Sequence, residues 1–404
     1  MSDWTEIKLG ELGVVVTGKT PSKNNPEDWG NEMPFITPSD YKNYRKRAYS
    51  SERNLSKIGI ERLENKILPK NSLLVTCIGS DMGKVVMNNI EAITNQQINS
   101  IIPNESLVDN DFLYYRLVDL YEILRIYGSD GTAVPIVNKG DFENIETAIP
   151  DIDEQKAIAS VLSSIDDKIE LLNSQNQTIQ KIASVLFRQK FIEEANEEWK
   201  TEKLGNITDV QNGFAFSSKD YVEFQNGHLE VLKMGHIERG GGLRTNPKKD
   251  YVPRSERLKK WVLKKGDIIM AMTDMKDNVV ILGVPAMIDK DDKYVLNQRV
   301  ARLTLKSNDK LINNYLLYVQ LMDSEFIAIL QSKANSGVQV NLSTEAIKDC
   351  DIIIPPRAVQ NDVGNTITNL YLKKENNDIQ IQTLTIMRNN LLPKFMNGDI
   401  SVDI

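Results

Sequence analysis

Two stretches of the chain place apolar residues at alternating intervals of four and three. The first series is Ile158, Leu162, Ile165, Ile169, Leu172, Asn176, Ile179, Ala183 and Leu186, and the second is Val363, Ile367, Leu370, Lys374, Asn377, Ile381, Leu384, Arg388 and Leu391. This spacing gives a narrow apolar stripe on one face of a helix, as in coiled coils. We therefore predict one long helix within 151–198 and another within 356–404.

An asparagine interrupts each apolar series. Antiparallel packing about a common midpoint would bring Asn176 near Asn377, where paired amides cost stability but fix the register of the helices. The alternative is that each amide lies at a solvated edge. Lys374 and Arg388 also interrupt the second series, which suggests that this helix needs extra packing from a partner protein.

Shorter patterns fill the rest of the chain. Apolar runs such as 12–16, 72–77 and 267–272 are bounded by Gly, Pro or Asn and predict strands. Residues 110–127 and 311–332 have helical spacing instead. Regions 1–150 and 199–355, hereafter the first and second heads, are therefore predicted to be α+β.

The two heads repeat one sequence pattern. The string W-x-x-x-K-L-G that begins at Trp4 returns at Trp199, and the offset grows from 195 to 205 along the chain. Further repeated positions are Gly18 and Gly213, Asn95-Gln96 and Asn297-Gln298, and Ile149 and Ile354. The prediction is a pseudo-two-fold α+β protein, with two similar mixed domains separated by two long antiparallel coiled-coil helices.

Composition is typical of a globular protein, with 41% apolar and 26% charged residues among 404. No window approaches the roughly 18 apolar residues of a membrane span, and the polar start is unlike a signal peptide, so we expect a cytoplasmic protein. Cys77 and Cys350 are predicted to be buried reduced thiols. Two histidines and two distant cysteines have no metal-ligand spacing, so no metal site is expected.

The net charge of −7 is unevenly distributed. Residues 151–198 contain five basic and ten acidic residues, whereas 199–355 contain 23 basic and 20 acidic ones. The first head carries the basic run 41–47, YKNYRKR, with two tyrosines. A basic face of this kind suits phosphate groups, and a solvated loop is the alternative. The acidic total suggests that a second protein supplies part of the surface that would bind a polyanion.

Residues 13–20 match the P-loop pattern G-x-x-x-x-G-K-[ST]. The variable positions, Val-Val-Val-Thr, predict a strand rather than a glycine-rich cradle, and PSKNNPEDWGN (21–31) cannot open a helix. We therefore predict a strand that ends in a turn at Gly18. No methyltransferase, nuclease or hydrolase pattern is present in the sequence.

The ordered set of motifs resembles the specificity subunit of type I restriction–modification systems over the whole chain. That family has two target-recognition domains, each followed by a long helix. The motifs that carry the resemblance are the repeated W-x-x-x-K-L-G, GKTPS (18–22), GFAFSS (213–218), LLVTCIGSDMGKV (73–85), residues 131–150 and 336–355, and DEQ (153–155). The second copy departs at RAVQ (357–360), which lacks the acidic pair before Gln360, so its helix entry is less defined.

The resemblance implies a DNA-binding subunit without catalytic activity of its own. It implies recognition of a bipartite, asymmetric duplex target, with one half-site per head. The implied partners are double-stranded DNA, two DNA adenine methyltransferase subunits and restriction/translocase subunits, with no membrane. It also implies no cofactor on this chain, because S-adenosylmethionine and ATP with Mg²⁺ belong to the partners.

Base edges are recognised by Arg, Lys, Asn, Gln, Ser and Thr side chains on exposed turns, while Lys and Arg elsewhere bind phosphates. Candidate DNA contacts in the first head are Lys19, Thr20, Ser39, Asp40, Lys42, Arg45, Ser80, Lys84 and Gln97. In the second head they are Phe214, Ser217, Lys233, His236, Thr273, Lys276, Arg299 and Gln339. For each, a solvated turn or a local backbone cap is the alternative, and for His236 a further alternative is a satisfied interior histidine. The repeated Asn-Gln pairs are assigned to the common fold and omitted.

Three other functions remain open at this point. One is a two-headed coiled-coil adaptor that joins proteins without binding DNA. Another is nucleotide binding at the P-loop match, which would depend on Lys19. The third is a specificity subunit of a methylation-only system.

Overall fold

The computed structural model describes residues 4–43, 46–128, 136–196, 199–275, 279–306, 311, 313–335 and 339–402. It divides into two compact units, 1–173 with 379–404, and 174–378. Each unit consists of one head and the adjoining parts of both long helices. The sequence-based boundaries after residues 150, 198 and 355 divide the chain differently, because they separate each head from its long helix. Those boundaries stay a prediction.

Within the described residues, the first unit contains short strands, short helices and parts of both long helices. The strands are β1 (Thr5–Lys8), β2 (Gly13–Thr17), β3 (Trp29–Gly30), β4 (Met33–Ile36), β5 (Arg47–Ala48), β6 (Arg53–Leu55), β7 (Leu73–Thr76), β8 (Val85–Asn88), β9 (Ile93–Thr94), β10 (Ile98–Pro103) and β11 (Glu146–Ile149). The helices are α1 (Lys57–Arg62), α2 (Asn110–Asp119), α3 (Tyr121–Gly128), α4 (Lys139–Glu143) and the start of α5 (Ile152–Phe187).

The second unit likewise contains short strands, short helices and parts of both long helices. Its strands are β12 (Lys200–Lys203), β13 (Thr208–Asn212), β14 (Leu229–Leu232), β15 (Tyr251–Val252), β16 (Ile268–Ala271), β17 (Thr273–Met275), β18 (Pro285–Met287), β19 (Tyr294–Leu296), β20 (Val300–Leu305), β21 (Gln339–Asn341) and β22 (Asp351–Ile354). Its helices are α6 (Leu204–Ile207), α7 (Asn314–Leu321), α8 (Ser324–Ser332), α9 (Thr344–Lys348) and the start of α10 (Arg357–Met396).

The sheets of the two heads correspond. In the first head β2-β10-β7-β8-β5 and β3-β6-β4-β9 form the larger sheets, and in the second head β13-β20-β16-β18 and β15-β14-β19 do so. Each head pairs its first and last strands antiparallel, β1 with β11 and β12 with β22. Each also has a parallel pair at the same place, β4 with β9 and β14 with β19. The predicted duplication of a mixed head is therefore confirmed.

Both long helices form close to their predicted bounds. Helix α5 begins after Asp151, whose carboxylate accepts hydrogen bonds from the first-turn amides of Asp153 and Glu154, each at 3.0 Å. A glutamine makes the same hydrogen bond at the start of each long helix. Nε2 of Gln155 donates to the Pro150 carbonyl at 2.9 Å, and Nε2 of Gln360 donates to the Pro355 carbonyl at 2.8 Å. The second entry is thus formed without the acidic pair that its sequence lacks.

The charged residues that interrupt the second apolar series have partners within their own units. In the first unit, the guanidinium of Arg388 contacts the carboxylate of Asp166 at 2.8 Å. In the second unit, Lys374 pairs with Asp378 at 2.8 Å. Carboxylates of this chain therefore neutralise both cations, and the expectation that the helix needs extra packing from a partner protein stays a prediction.

Asn176 and Asn377, the asparagines that interrupt the two apolar series, contact each other within the second unit. Nδ2 of Asn377, which is fully buried, donates to Oδ1 of Asn176 at 2.9 Å. Nδ2 of Asn176 in turn donates to Asp378 at 2.7 Å. The amides are therefore inside the unit rather than at a solvated edge, and their role in fixing the register stays a prediction.

Both cysteines are buried and unbridged, as predicted. Burial raises the pKa of the Cys77 thiol to about 12, and it also raises the pKa of Cys350. Since the thiolate is the reactive form, neither residue is suited to nucleophilic chemistry near neutral pH.

Backbone hydrogen bonds join four turns at one edge of the first head, here called its loop edge (residues 18–20, 37–40, 77–84 and 95–97). The amide of Lys19 donates to the Thr94 carbonyl at 2.9 Å, and that of Asn95 to Ile36 at 3.2 Å. The amide of Cys77 donates to the Gln97 carbonyl at 2.8 Å. These bonds position the turns that follow β2, β4, β7 and β9.

The loop edge of the second head (residues 213–217, 233–236, 272–274 and 297–299) has the same bonds at equivalent positions. The amide of Phe214 donates to the Leu296 carbonyl at 2.8 Å, and that of Asn297 donates to Leu232 at 3.1 Å. The amide of Met272 donates to the Arg299 carbonyl at 3.0 Å. The side chains of Asn95 and Asn297 also have one task, since each Oδ1 accepts from the amide two residues later. This confirms that the two asparagines serve the common fold.

A repeated glycine makes these loop edges possible. A Cβ atom on Gly18 would lie under 3.0 Å from the carbonyl oxygens of Thr94 and Asn95, and one on Gly213 would meet Leu296 and Asn297 in the same way. Only glycine allows two backbone segments to approach so closely. The repeated glycine is therefore a packing requirement.

We predict that Gly213→Ala destabilises the chain by about 1–3 kcal/mol, the usual range for overpacking a filled site. Gly235→Ala is a matched control, because a Cβ there meets nothing within 4 Å and the residue has no positive φ. Thermal unfolding of the two variants measures the difference. Equal unfolding midpoints would contradict the packing argument.

We also predict that Asn377→Leu lowers the stability by about 1–3 kcal/mol, because the buried Oδ1 of Asn176 loses a donor. Adding Asn176→Leu should recover at least that amount, since both polar groups are then removed. Urea unfolding of the single and double variants checks this order. A single variant as stable as the parent chain would show that the amide contact contributes nothing.

Candidate nucleic-acid interface

The first head presents a compact polar group on its loop edge. Lys19 and Thr20 follow Gly18 and are exposed. The Thr20 hydroxyl donates to Oε1 of Gln96 at 2.6 Å, so the turn after β2 and the turn after β9 share a side-chain contact. Ser39 is exposed on the turn after β4 and lies 2.8 Å from the Thr37 hydroxyl. The structure thus brings together three predicted residues at one surface.

Asp40 and Gln97 are occupied within the head. The Asp40 carboxylate is 2% exposed and accepts hydrogen bonds from the amides of Thr37 and Glu52, each at 2.8 Å. Gln97 is half-buried, and its Oε1 accepts from Asn95 at 2.9 Å. Asp40 thus fills the alternative role of a local cap, which satisfies turn amides, whereas Gln97 contacts the side chain of Asn95.

Lys42, Ser80 and Lys84 are exposed on neighbouring segments. Ser80 lies in the turn that joins β7 to β8, and Lys84 forms an ion pair with Asp81 at 2.5 Å in the same turn. An exposed pair of this kind contributes little stability and is easily exchanged for another anion. Lys84 therefore keeps a cation available on this surface.

The second head presents different side chains on the same backbone arrangement. Phe214 occupies the position of Lys19, and its ring lies 4.8 Å from that of Phe216 and 5.0 Å from that of Trp261, between centroids. Ser217 is exposed, and its Oγ donates to Asp220 at 2.8 Å. Arg299 is exposed on the turn after β19.

Lys233 follows β14 and is half-buried. Its Nζ lies 2.7 Å from Asp250 and 4.2 Å from the centroid of the Tyr221 ring. Partial burial acts to lower the lysine pKa, but the hydrogen bonds and negative charge supplied by Asp250 and Tyr221 outweigh it, so the pKa is raised. Lys233 is therefore a fixed cation at the border of the loop edge.

His236 and Thr273 are buried in the second head, at 3% and 4% exposure. Nε2 of His236 lies 3.1 Å from Glu230, and its Nδ1 accepts from the amide of Lys233 at 3.2 Å. The Thr273 hydroxyl donates to Asn341 at 3.1 Å. These contacts support interior, structural roles for the two side chains.

Three predicted contacts cannot be placed in this way. Arg45 and Lys276 lie outside the described residues. Gln339 belongs to β21, but its side chain also lies outside them.

Three exposed residues on or beside the loop edges were not predicted: Gln96, Gln298 and Arg257. The two glutamines were omitted because they recur with the asparagines, yet only the asparagine carbonyl groups cap the turn. The exposure of both glutamines follows from that geometry. Arg257 belongs to a basic run in the sequence, but no sequence signal links it to Phe214, the residue it contacts.

The P-loop match has no phosphate cradle. Residues Gly13–Thr17 form β2 and pair with β10, and Gly18 packs against the turn after β9. The next regular element is a short 3-10 turn, Pro26–Asp28, rather than a helix with free amides. The predicted strand and turn at Gly18 are confirmed.

The described residues also contain no group of three His, Cys, Asp or Glu side chains arranged to hold a metal ion. Among the helices in the described ranges, none has the length and apolar character that crossing a membrane requires.

Comparison with known proteins shows one protein family that matches two successive parts of the chain. A family model, the type I restriction modification DNA specificity domain, matches residues 1–181 and again residues 196–385. The type I restriction enzyme MjaIX specificity subunit of Methanocaldococcus jannaschii is 27% identical over 429 residues, which cover 99% of this chain and 94% of that protein. The MjaVIII specificity subunit of the same organism is 26% identical, with 99% and 93% covered.

A solved structure shows the same fold. The S subunit of a type I restriction–modification system from M. genitalium superposes with a TM-score of 0.59 over 100% of this chain and 97% of that one, at 17% identity. The family model matches each copy of the sequence repeat, and together the two matches cover most of the 404 residues. The chain therefore belongs to the type I restriction modification DNA specificity domain family, as its repeated motifs predict.

Proposed function

We propose that the chain is the DNA-recognition subunit of a type I restriction–modification system and that it binds a bipartite, asymmetric duplex target. Each head would recognise one half-site through its loop edge. The observation that carries this proposal is one hydrogen-bonded backbone arrangement, built twice, that presents different side chains. Two identical surfaces would favour a palindromic target, whereas Lys19 and Phe214 at one position favour two different half-sites.

The exposed residues suit this task. Lys19, Thr20, Ser39 and Gln96 offer both donors and acceptors to base edges, and Lys84 and Arg299 offer cations to phosphates. The second head has an excess of basic residues, although the whole chain is acidic. We infer that a methyltransferase partner completes the positive surface around the duplex.

We propose that α5 and α10 form an antiparallel pair that sets the distance between the half-sites. The buried contact between Asn176 and Asn377 and the ion pair between Arg388 and Asp166 support one fixed arrangement of the helices. On this proposal the helices also hold two DNA adenine methyltransferase subunits, and restriction subunits join to form a cleaving complex. The names of the relatives, specificity subunits of type I enzymes, support these partners.

We further propose that this chain has no catalytic step and binds no cofactor. S-adenosylmethionine would be bound by the methyltransferase subunits, and ATP with Mg²⁺ by the restriction subunits. A methylation-only complex with the same recognition chemistry is a variant of this proposal. Isolating the assembled complex and assaying ATP-dependent cleavage of unmethylated DNA distinguishes the two.

We predict salt-dependent binding of duplex DNA by the chain together with its methyltransferase partner. Each phosphate neutralised by a cation releases counterions, so the logarithm of the binding constant should fall linearly with that of the salt concentration. Fluorescence anisotropy over a salt series measures the slope. Binding that is absent or insensitive to salt would favour an adaptor that joins proteins. ATP and GTP titrations should show no binding that depends on Lys19.

We also predict that lengthening both helices separates the half-sites. One heptad inserted after Leu172 in α5 and one after Gln380 in α10 add about 10 Å to an antiparallel pair. Because a base pair rises about 3.4 Å, the methylated motif should gain roughly three unspecified base pairs and keep its letters. Inserting a heptad in α5 alone is the control and should abolish methylation of both motifs. An unchanged separation with both insertions would refute the role of the helices in setting the distance.

A further inference from the structure

An arginine of the second head lies over an aromatic ring on the loop edge. The guanidinium carbon of Arg257 is 4.3 Å from the centroid of the Phe214 ring. Phe216 and Trp261 pack against the same ring, edge to face, so the ring has neighbours on other sides. The aromatic group thus forms a platform that holds a planar cation.

The platform is anchored by the backbone of the loop edge. The amide of Phe214 donates to Leu296 at 2.8 Å, and its carbonyl accepts from Gln298 at 3.0 Å. Nε1 of Trp261 donates to the carbonyl of Asn212 at 3.2 Å. The backbone of Phe214 and the indole of Trp261 are therefore anchored, and the exposed side chain of Arg257 lies over this aromatic group.

Neighbouring arginines have contacts inside the head instead. Arg254 donates to the carbonyl of Asp292 at 2.7 Å, and Arg302 donates to Gln211 at 2.7 Å. A carboxylate near Arg257 is that of Asp220, whose Oδ2 already accepts from the amide and hydroxyl of Ser217 at 2.7 and 2.8 Å. Stacking on a ring leaves the N–H groups at the edge of the guanidinium plane directed outward.

The contact lies where the two heads differ in chemistry. Phe214 is the equivalent of Lys19 of the first head, because both amides make the same bond to the strand before the Asn-Gln turn. In the first head that position supplies a flexible cation beside Thr20. In the second head it supplies a ring, and the cation comes from Arg257 on the 3-10 turn Glu256–Trp261.

We propose that Arg257 is a specificity-determining residue of the second head and that it recognises a guanine in the major groove. The inference rests on the proposed function. Guanine presents O6 and N7 as adjacent acceptors, which a planar guanidinium meets with two parallel hydrogen bonds. Prior stacking on Phe214 reduces the side-chain entropy lost on binding. A lysine at this position keeps the charge but cannot form the paired bonds.

Two variants of the full methyltransferase complex test the proposal. Arg257→Lys should retain binding to duplex DNA and its salt dependence, while discrimination at one G·C pair of one half-site falls roughly tenfold to a hundredfold. Phe214→Leu keeps an apolar side chain and removes the ring, so it should weaken discrimination at the same pair. Lys259→Ala is the matched control, because Lys259 is an exposed cation on the same turn and should leave the motif unchanged.

Methylation mapping of genomic DNA, with anisotropy on matched oligonucleotides, measures these effects. Relaxation confined to one guanine of one half-site supports the proposal. An unchanged motif with Arg257→Lys, an equal loss of affinity for every sequence, or a parent motif without guanine in the affected half-site overturns it. If the parent complex shows no sequence-dependent binding, the proposed function itself fails and the role of Arg257 fails with it.

Discussion

The close approach of two backbone segments at Gly18, and again at Gly213, is the constraint on which each head depends. It places the strand end before the glycine directly against the turn that carries Asn95 or Asn297. Backbone hydrogen bonds then join that turn to two further strand ends. Because these bonds involve only main-chain atoms and one asparagine side chain, they tolerate changes at nearly all the exposed positions between them.

That tolerance explains how one scaffold can support two different recognition surfaces. At the loop edge of the first head, Lys19 and Thr20 follow the glycine, and the Thr20 hydroxyl donates to Gln96. At the loop edge of the second, Phe214 follows the glycine and packs with Trp261 beneath Arg257. The polar surface suits contacts with varied base edges, while the stacked arginine suits one kind of base. A change of target then requires new side chains and leaves the fold intact.

The long helices could be predicted from the sequence because a sustained apolar stripe with a period near 3.5 is typical of packed helices and does not suit a strand. The heads could be predicted as mixed and duplicated. The sequence could not distinguish the loop-edge side chains that are exposed from those that are buried and cap turns. Asp40 and His236 follow strands, where exposed polar residues are expected, yet both cap turns from inside. A short polar side chain after a strand satisfies backbone groups as readily as it meets a ligand. The contact between Arg257 and Phe214 joins positions far apart in sequence, and no local pattern contains it.

The polar contacts of the helices argue that position, rather than stability, governs their sequence. Asn377 is fully buried, and its Oδ1 has no hydrogen-bond partner in the part of the chain that the structure describes. Leucine at both asparagine positions would be more stable, since it removes both amides and a buried acceptor without a donor costs about 1–3 kcal/mol. Arg388 likewise brings a charge to a seam position and needs Asp166 beside it. Apolar stripes can slide by a turn and still pack, whereas an amide pair and an ion pair are satisfied in one register only. If the helices set the spacing of the half-sites, as we propose, one register matters more to the chain than a more stable helix pair.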